Sequence, residues 1–218
     1  MQNHPTSHFL WAFLILALIT LVAAFTLKVY KDRSLQTDAP LPIVRILSRF
    51  QLLNQDNIPV NETLFHNKIS LVAFAFTRCP GPCPAIIQRL EQFQIPFRRA
   101  RPYVQLVTFT VDPEYDTPEV LKRYSQSLKA DPSLWHFLTG AKGEVFRVAE
   151  KDFLLPATEN PPEAQSEHGA VLHSTRLVLV DNQARIRQYY DAFDPELLPK
   201  VLHDVGKLLR EANIILPN

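Results

Sequence analysis

The chain has 218 residues, 46% of them hydrophobic and 21% charged, which fits one globular domain plus an appendage. A net charge of +1 leaves no basic footprint of the kind that a nucleic-acid or other acidic partner calls for. Glycines number 5 and prolines 18, so turns are built mostly by proline, and there is no internal repeat or low-complexity tract.

Residues 1–8 form a short tail without Lys or Arg. Residues 9–27, FLWAFLILALITLVAAFTL, carry no charge and are long enough to cross a bilayer as a helix. Trp11 and Tyr30 suit interfacial anchoring. Val22-Ala23-Ala24 would serve as a signal-peptidase site, but the tail lacks the positive charge of a signal peptide, so an uncleaved anchor is expected. Lys28, Lys31 and Arg33 follow the span and by themselves would hold the domain in the cytoplasm; a long translocated domain overrides that bias. Residues 28–45 read as a linker and 46–218 as the folded domain.

Residues 50–53 and 58–60 flank Asn54-Gln55-Asp56-Asn57 and predict a β-hairpin, with Pro59 confining the second arm to a sheet edge. Asn61-Glu62-Thr63 is an N-x-T sequon, which carries weight only in a eukaryotic secretory context. Residues 69–76 are an apolar run ending in Thr77-Arg78-Cys79-Pro80-Gly81-Pro82-Cys83-Pro84, which holds the two cysteines of the protein. Ile86, Ile87, Leu90 and Phe93 then recur at helical spacing. The pattern is a buried strand, a thiol-bearing turn, and a helix whose N-terminus faces the second thiol. A helix N-terminus favours the thiolate, the form that attacks disulfides and binds metals. Three residues between the cysteines make a looser ring than C-x-x-C, which favours chelation over fast disulfide exchange.

Arg98, Arg99 and Arg101 close the first helix and read as a solvated basic loop, with a partner or lipid-headgroup patch as the alternative. Residues 104–111 predict a second strand, and Asp116 or Thr117 a cap for a helix bearing Val120, Leu121, Tyr124 and Leu128. Residues 134–138 complete a βαβ unit, and at 143–150 a short helix follows. Residues 154–170, with Pro156, Pro161 and Pro162, form a long loop that delivers His173 to the mouth of a strand at 175–180. A hairpin to 185–190 and an amphipathic helix from about Leu197, with Pro199 in its first turn, end the domain.

His173 is one of seven histidines and stands out by position. Ligand sites of open α/β sheets form at strand ends, and two thiolates with one imidazole make a soft set suited to copper. A hydrogen-bonded structural histidine is the competing reading, and His168 is an alternative ligand.

FAFTRCPGPCP, TVDPEYDTPEVLKRY and LHSTRLVLVD together resemble the Sco (synthesis of cytochrome c oxidase) family from about Arg49 to the C-terminus. The resemblance implies an α/β, thioredoxin-like fold behind an N-terminal transmembrane helix. It implies copper, as Cu(I) with Cu(II) also accommodated, on Cys79, Cys83 and His173, with Asp112 as an acidic neighbour of the metal. It implies delivery to the binuclear copper A site of cytochrome c oxidase subunit II, with other copper chaperones or thiol reductants as further partners. The soluble domain would then face outward from a bacterial plasma membrane. The chain departs from the family at Gly81, where an acidic residue is usual, and at Asp181-Asn182-Gln183-Ala184, where Asp-Pro-x-Gly is usual. Thioredoxins place a cis-proline before the corresponding strand; here no proline lies between Pro162 and Pro195.

A metallochaperone, which is not an enzyme, is therefore the first expectation. A thiol-disulfide oxidoreductase that keeps oxidase cysteines reduced is the alternative, with Cys79 and Cys83 as its redox pair. A peroxiredoxin-like peroxidase using Thr77 and Arg78 is a distant third.

Overall fold

The structure, a computed structural model, describes residues 5–155 and 174–214; the side chains of 5–10, 12 and 29–38 are outside the description. It divides into two compact units, Met1–Pro40 and Leu41–Asn218.

The first unit is one helix, α1 (Pro5–Asp38), so the helix runs on through residues expected to open the linker. Thr20 and Thr26 donate their hydroxyls to the carbonyls of Ala17 and Ala23, each at 2.9 Å, which satisfies them inside the helix. Among the described residues no helix is long and apolar enough to cross a membrane. The side chains of Phe9, Leu10 and Ala12, at the start of the expected span, lie outside the described residues.

The second unit is built on an eight-stranded mixed sheet. In chain order the strands are β1 (Arg45–Ile46), β2 (Leu52–Asn54), β3 (Pro59–Val60), β4 (Ile69–Ala75), β5 (Val104–Thr110), β6 (Trp135–Thr139), β7 (Arg176–Val180) and β8 (Arg185–Asp191). Their spatial order is β1-β8-β7-β4-β5-β6-β2-β3. The expected hairpin is β2–β3, and Pro59 does sit on the edge strand. Asn61 of the sequon caps a short 3-10 helix (Glu62–Phe65) by accepting from the Thr63 amide and hydroxyl.

Strands β4, β5 and β6 run parallel, which requires crossovers; these are α2 (Cys83–Arg99) and α3 (Pro118–Ser127). Every residue of β4 and β5 is buried, as expected of parallel strands covered on both faces. Helix α4 (Lys142–Arg147) is shorter than expected and passes into a wider turn over Val148–Asp152. Helix α2 lies on β4 and β5, and the C-terminal helix α5 (Leu197–Glu211) on β4. Phe109 of β5 stacks on Phe74 of β4 at 4.9 Å and meets Phe153 at 5.5 Å, with Phe50 and Phe65 completing the cluster.

Two helix ends agree with the sequence reading and sharpen it. Helix α2 continues through Pro96 to Arg99. The basic cluster at its C-terminal end is partly neutralised, because Arg98 and Arg101 both pair with Asp131. Of the two candidate caps for α3, Thr117 takes the position, accepting from the Val120 amide at 3.4 Å.

The topology assembles one functional end. The C-terminal ends of β4, β5 and β6, the start of β7 and the finish of β8 all lie at the same edge, because β7 is antiparallel to β4 and β8 to β7.

Candidate metal centre

Strand β4 ends at Ala75, and the chain turns at once: the Cys79 amide donates to the Phe76 carbonyl at 3.4 Å. Pro82 is the cap of α2, Cys83 its first residue, and Pro84 falls in the first turn, where its missing donor costs no hydrogen bond. Both cysteines are free thiols, 8% and 4% exposed.

Burial pushes Cys83 up to about 12, and the neighbouring Cys79 adds to the rise, so the turn brings the two cysteines within reach of each other. This corrects the expectation of a thiol activated by the helix N-terminus. In the apo state, desolvation of the thiolate outweighs the helix dipole, and Cys83 is held protonated. A cation entering between the sulfurs reverses that balance by replacing the lost hydration with a direct charge.

The loop between β5 and α3 closes against the turn. Its backbone is folded by the amides of Tyr115 and Asp116, both donating to the Asp112 carbonyl. Asp116, expected as a possible cap, is instead fully buried. Its carboxylate accepts from the Thr77 amide at 3.1 Å, from the Thr77 hydroxyl and from the Thr110 hydroxyl. Burial raises its pKa, and the bonds from Thr110 and Thr77 oppose the rise. Asp112 accepts from Arg78 Nε at 2.6 Å, and the Arg78 guanidinium lies over the Tyr115 ring at 4.4 Å. That hydrogen bond raises the Arg78 pKa further. The acidic neighbour expected beside the metal thus stands beside the thiol turn, engaged by a cation of that turn. Thr77 and Arg78, which a peroxidase would turn toward a peroxide, are both held by carboxylates.

Tyr124 of α3 closes the floor. It lines a cavity of about 10 Å³ together with Phe76, Thr77, Thr110 and Asp116. Burial, reinforced by Cys83 and Asp116, pushes Tyr124 up to about 12. Neither Asp116 nor Tyr124 was assigned to the site from sequence. The one available signal was the four-residue spacing of Asp112 and Asp116, which brackets a single turn of chain. A concavity of about 670 Å³ lined by Arg49, Phe50, Gln51, Asn61, Glu62 and Glu144 includes no residue of the thiol turn.

His173 and His168 lie outside the described residues. Among the described residues no three His, Cys, Asp or Glu side chains gather to hold a metal ion, so the turn supplies two donors. Ser174, the next residue in sequence after His173, is buried, and the Ala192 amide fixes Thr175 at 2.9 Å. Each step along β4 toward Cys79 is matched by one along β7 toward Ser174, because Val72 pairs with Val178 and Ser70 with Val180.

A model of the SCO1/SenC family matches residues 40–209. The structure of a SCO1/SenC family lipoprotein from Bacillus anthracis superposes with a TM-score of 0.69 at 27% identity, covering 77% of this chain and 96% of that one. The structure of BsSco, described as a member of the Sco family of cytochrome c oxidase assembly proteins with a disulfide switch, gives 0.66 at 25%, covering 78% and 96%. Bradyrhizobium japonicum ScoI with copper bound gives 0.61 at 25%, covering 75% and 99%. The mixed sheet with its thiol turn at the end of β4 is thus the thioredoxin-like fold of these proteins, and the chain belongs to the SCO1/SenC family.

Proposed function

We propose that this protein is a membrane-anchored copper metallochaperone that serves the binuclear copper A site of cytochrome c oxidase subunit II. The observation that carries the reading is the pair of free, buried thiols, Cys79 and Cys83, held in one turn at the end of a central strand. Two convergent thiolates are a soft donor set that suits Cu(I), and an imidazole from His173 would extend it to Cu(II). Support for His173 comes from the chain itself, which brings the following residue, Ser174, to the same end of the sheet. Support for copper and for the oxidase comes from the relatives, one solved with copper bound and one described as an oxidase assembly protein.

Copper is the cargo. Binding must expel the proton that Cys83 holds in the apo state, so uptake releases protons and acid favours release. A site with few ligands, opening at the rim of a sheet, lets an acceptor thiol enter before both donor thiolates leave.

The N-terminal segment fits a retained single-pass anchor, with the domain on the outer face of a bacterial plasma membrane. The charge-free run of residues 9–27 and the two internally satisfied threonine hydroxyls support that placement.

The test is copper stoichiometry on the full chain, reduced and anaerobic in detergent, loaded with Cu(I) and desalted. One copper per chain, lost in Cys83→Ser and His173→Ala, is the expected result. No retained copper in the wild type overturns the reading. The alternative, a thiol-disulfide oxidoreductase, is favoured by the placement of two free thiols in one short turn. It predicts that His173→Ala leaves exchange with an oxidase-derived dithiol intact while copper is lost.

A further inference from the structure

We propose that Asp116 is a positioning residue for the Cys79–Cys83 pair, acting through Thr77. The inference stands on geometry and does not depend on copper as the cargo.

Asp116 belongs to the loop after β5, yet three hydrogen bonds fix its carboxylate beneath a different segment. Oδ2 accepts from the Thr77 amide and the Thr110 hydroxyl, and Oδ1 from the Thr77 hydroxyl. Thr110 in turn accepts from the Asp112 amide at 3.1 Å, which ties the loop to the end of β5. Thr77 is the second residue beyond β4 and the second before Cys79. The ladder between β4 and β5 ends at Ala75 and Thr110, and Val111 adds one bond to the Ala75 carbonyl. Beyond that point strand pairing no longer holds the turn, and Asp116 replaces it.

The chemistry needs such a clamp. Pro80, Gly81 and Pro82 between the cysteines offer two missing amide donors and one residue without a side chain, so the ring between the sulfurs has little hydrogen bonding of its own. On the strand side Thr77 is its half-buried anchor, beside the Arg78–Asp112 pair and the bond from the Cys79 amide to the Phe76 carbonyl; on the helix side the anchor is the first turn of α2. A buried carboxylate with all three partners aimed at it is a rigid stop, and its removal would leave the Thr77 amide without an acceptor. The distance between the sulfurs would then vary, and with it the effective concentration of one thiol at the other.

The test is the equilibrium of the full chain in detergent with glutathione disulfide. In that reaction the two cysteine sulfurs are oxidised to one disulfide, glutathione disulfide is reduced to two thiols, and the two cysteine protons end on glutathione. Asp116→Ala should lower the equilibrium constant for the internal disulfide about tenfold. Asp116→Asn should restore it to within about twofold, because the amide oxygen can accept from the Thr77 amide while its NH2 group donates to the Thr77 hydroxyl. Thr77→Val keeps the amide bond and loses the hydroxyl bond, and should fall between, at about threefold. A structural role alone would lower the melting temperature and leave the constant unchanged. A folded Asp116→Ala with the wild-type constant overturns the proposal. Should Asp116→Ala fail to fold, Thr77→Val at the wild-type constant overturns it instead.

Discussion

Arg78 Nε and Asp112 Oδ2 stand 2.6 Å apart, next to the first cysteine of the turn. Arg78 is 56% exposed, so solvent screens the pair and its contribution to stability is below about 1 kcal/mol. Its effect falls on the thiols. Arg78→Ala removes a cation from the neighbour of Cys79 and leaves the Asp112 anion uncompensated, which disfavours the thiolate. The rate of alkylation by iodoacetamide at pH 8 should fall about threefold, with the melting temperature nearly unchanged. An unchanged rate would show that Asp112 and Arg78 cancel before their field reaches the sulfurs.

His136 on β6 gives the domain an acid sensitivity independent of the thiols. Its Nε2 is buried without a partner, and burial, with Lys68 second, pushes its pKa down from 6.5 to about 4. The folded state depresses this pKa, so the stabilising difference is fully present above pH 6.5. It is lost as pH falls toward 4, because the unfolded chain takes up the proton first. The loss approaches about 3 kcal/mol at pH 4. Urea unfolding at pH 7 and pH 4.5 should show a smaller drop for His136→Phe than for the wild type. Equal drops would assign the acid sensitivity to carboxylates.

Phe109 touches Phe50, Phe65, Phe74 and Phe153, joining both central strands to two loops. Phe109→Ala empties the middle of that cluster and should cost about 3–5 kcal/mol, read from the denaturation midpoint. A loss under about 1 kcal/mol would mean that the surrounding rings collapse into the space.

Tyr190 closes β8 onto α5 by donating to Asp204 Oδ2 at 2.7 Å, and burial, with that bond, drives its pKa well above the usual tyrosine value. Tyr190→Phe leaves a partly buried carboxylate short of a donor. The expected cost is about 1–2 kcal/mol, read from the urea midpoint at pH 7. A loss near zero would mean that water replaces the phenol as the donor.

The elements of the domain were legible because each follows from local chemistry. The apolar run of β4, the β-branched run of β5, Pro59 at an edge and Pro118 opening a helix are instructions that neighbouring residues read alone. The thiol turn was legible for the same reason: two cysteines spaced by Pro-Gly-Pro between a strand and a helix have few other uses. What the sequence could not state was the sign of the environment. A helix N-terminus argued for an acidic Cys83, whereas the tertiary fold buries that thiol, and desolvation wins because its penalty grows as water is excluded while the dipole stays fixed.

Long-range partners were equally silent. Asp116 and Thr117 were interchangeable caps in sequence; only the approach of the β5–α3 loop to the turn gave Thr117 the helix and Asp116 the thiol pair. Arg187 sits in a strand of otherwise mixed polarity, yet it is buried and tied to Asp181, Glu211 and the Leu41 carbonyl. Periodicity, backbone restriction and side-chain type are properties of neighbouring residues, and they were enough to set the strands, the helices and the soft donor pair. Which charges face one another, and which thiol keeps its proton, came only with the folded domain, because burial and electrostatic coupling depend on distances between segments that the order of residues does not contain.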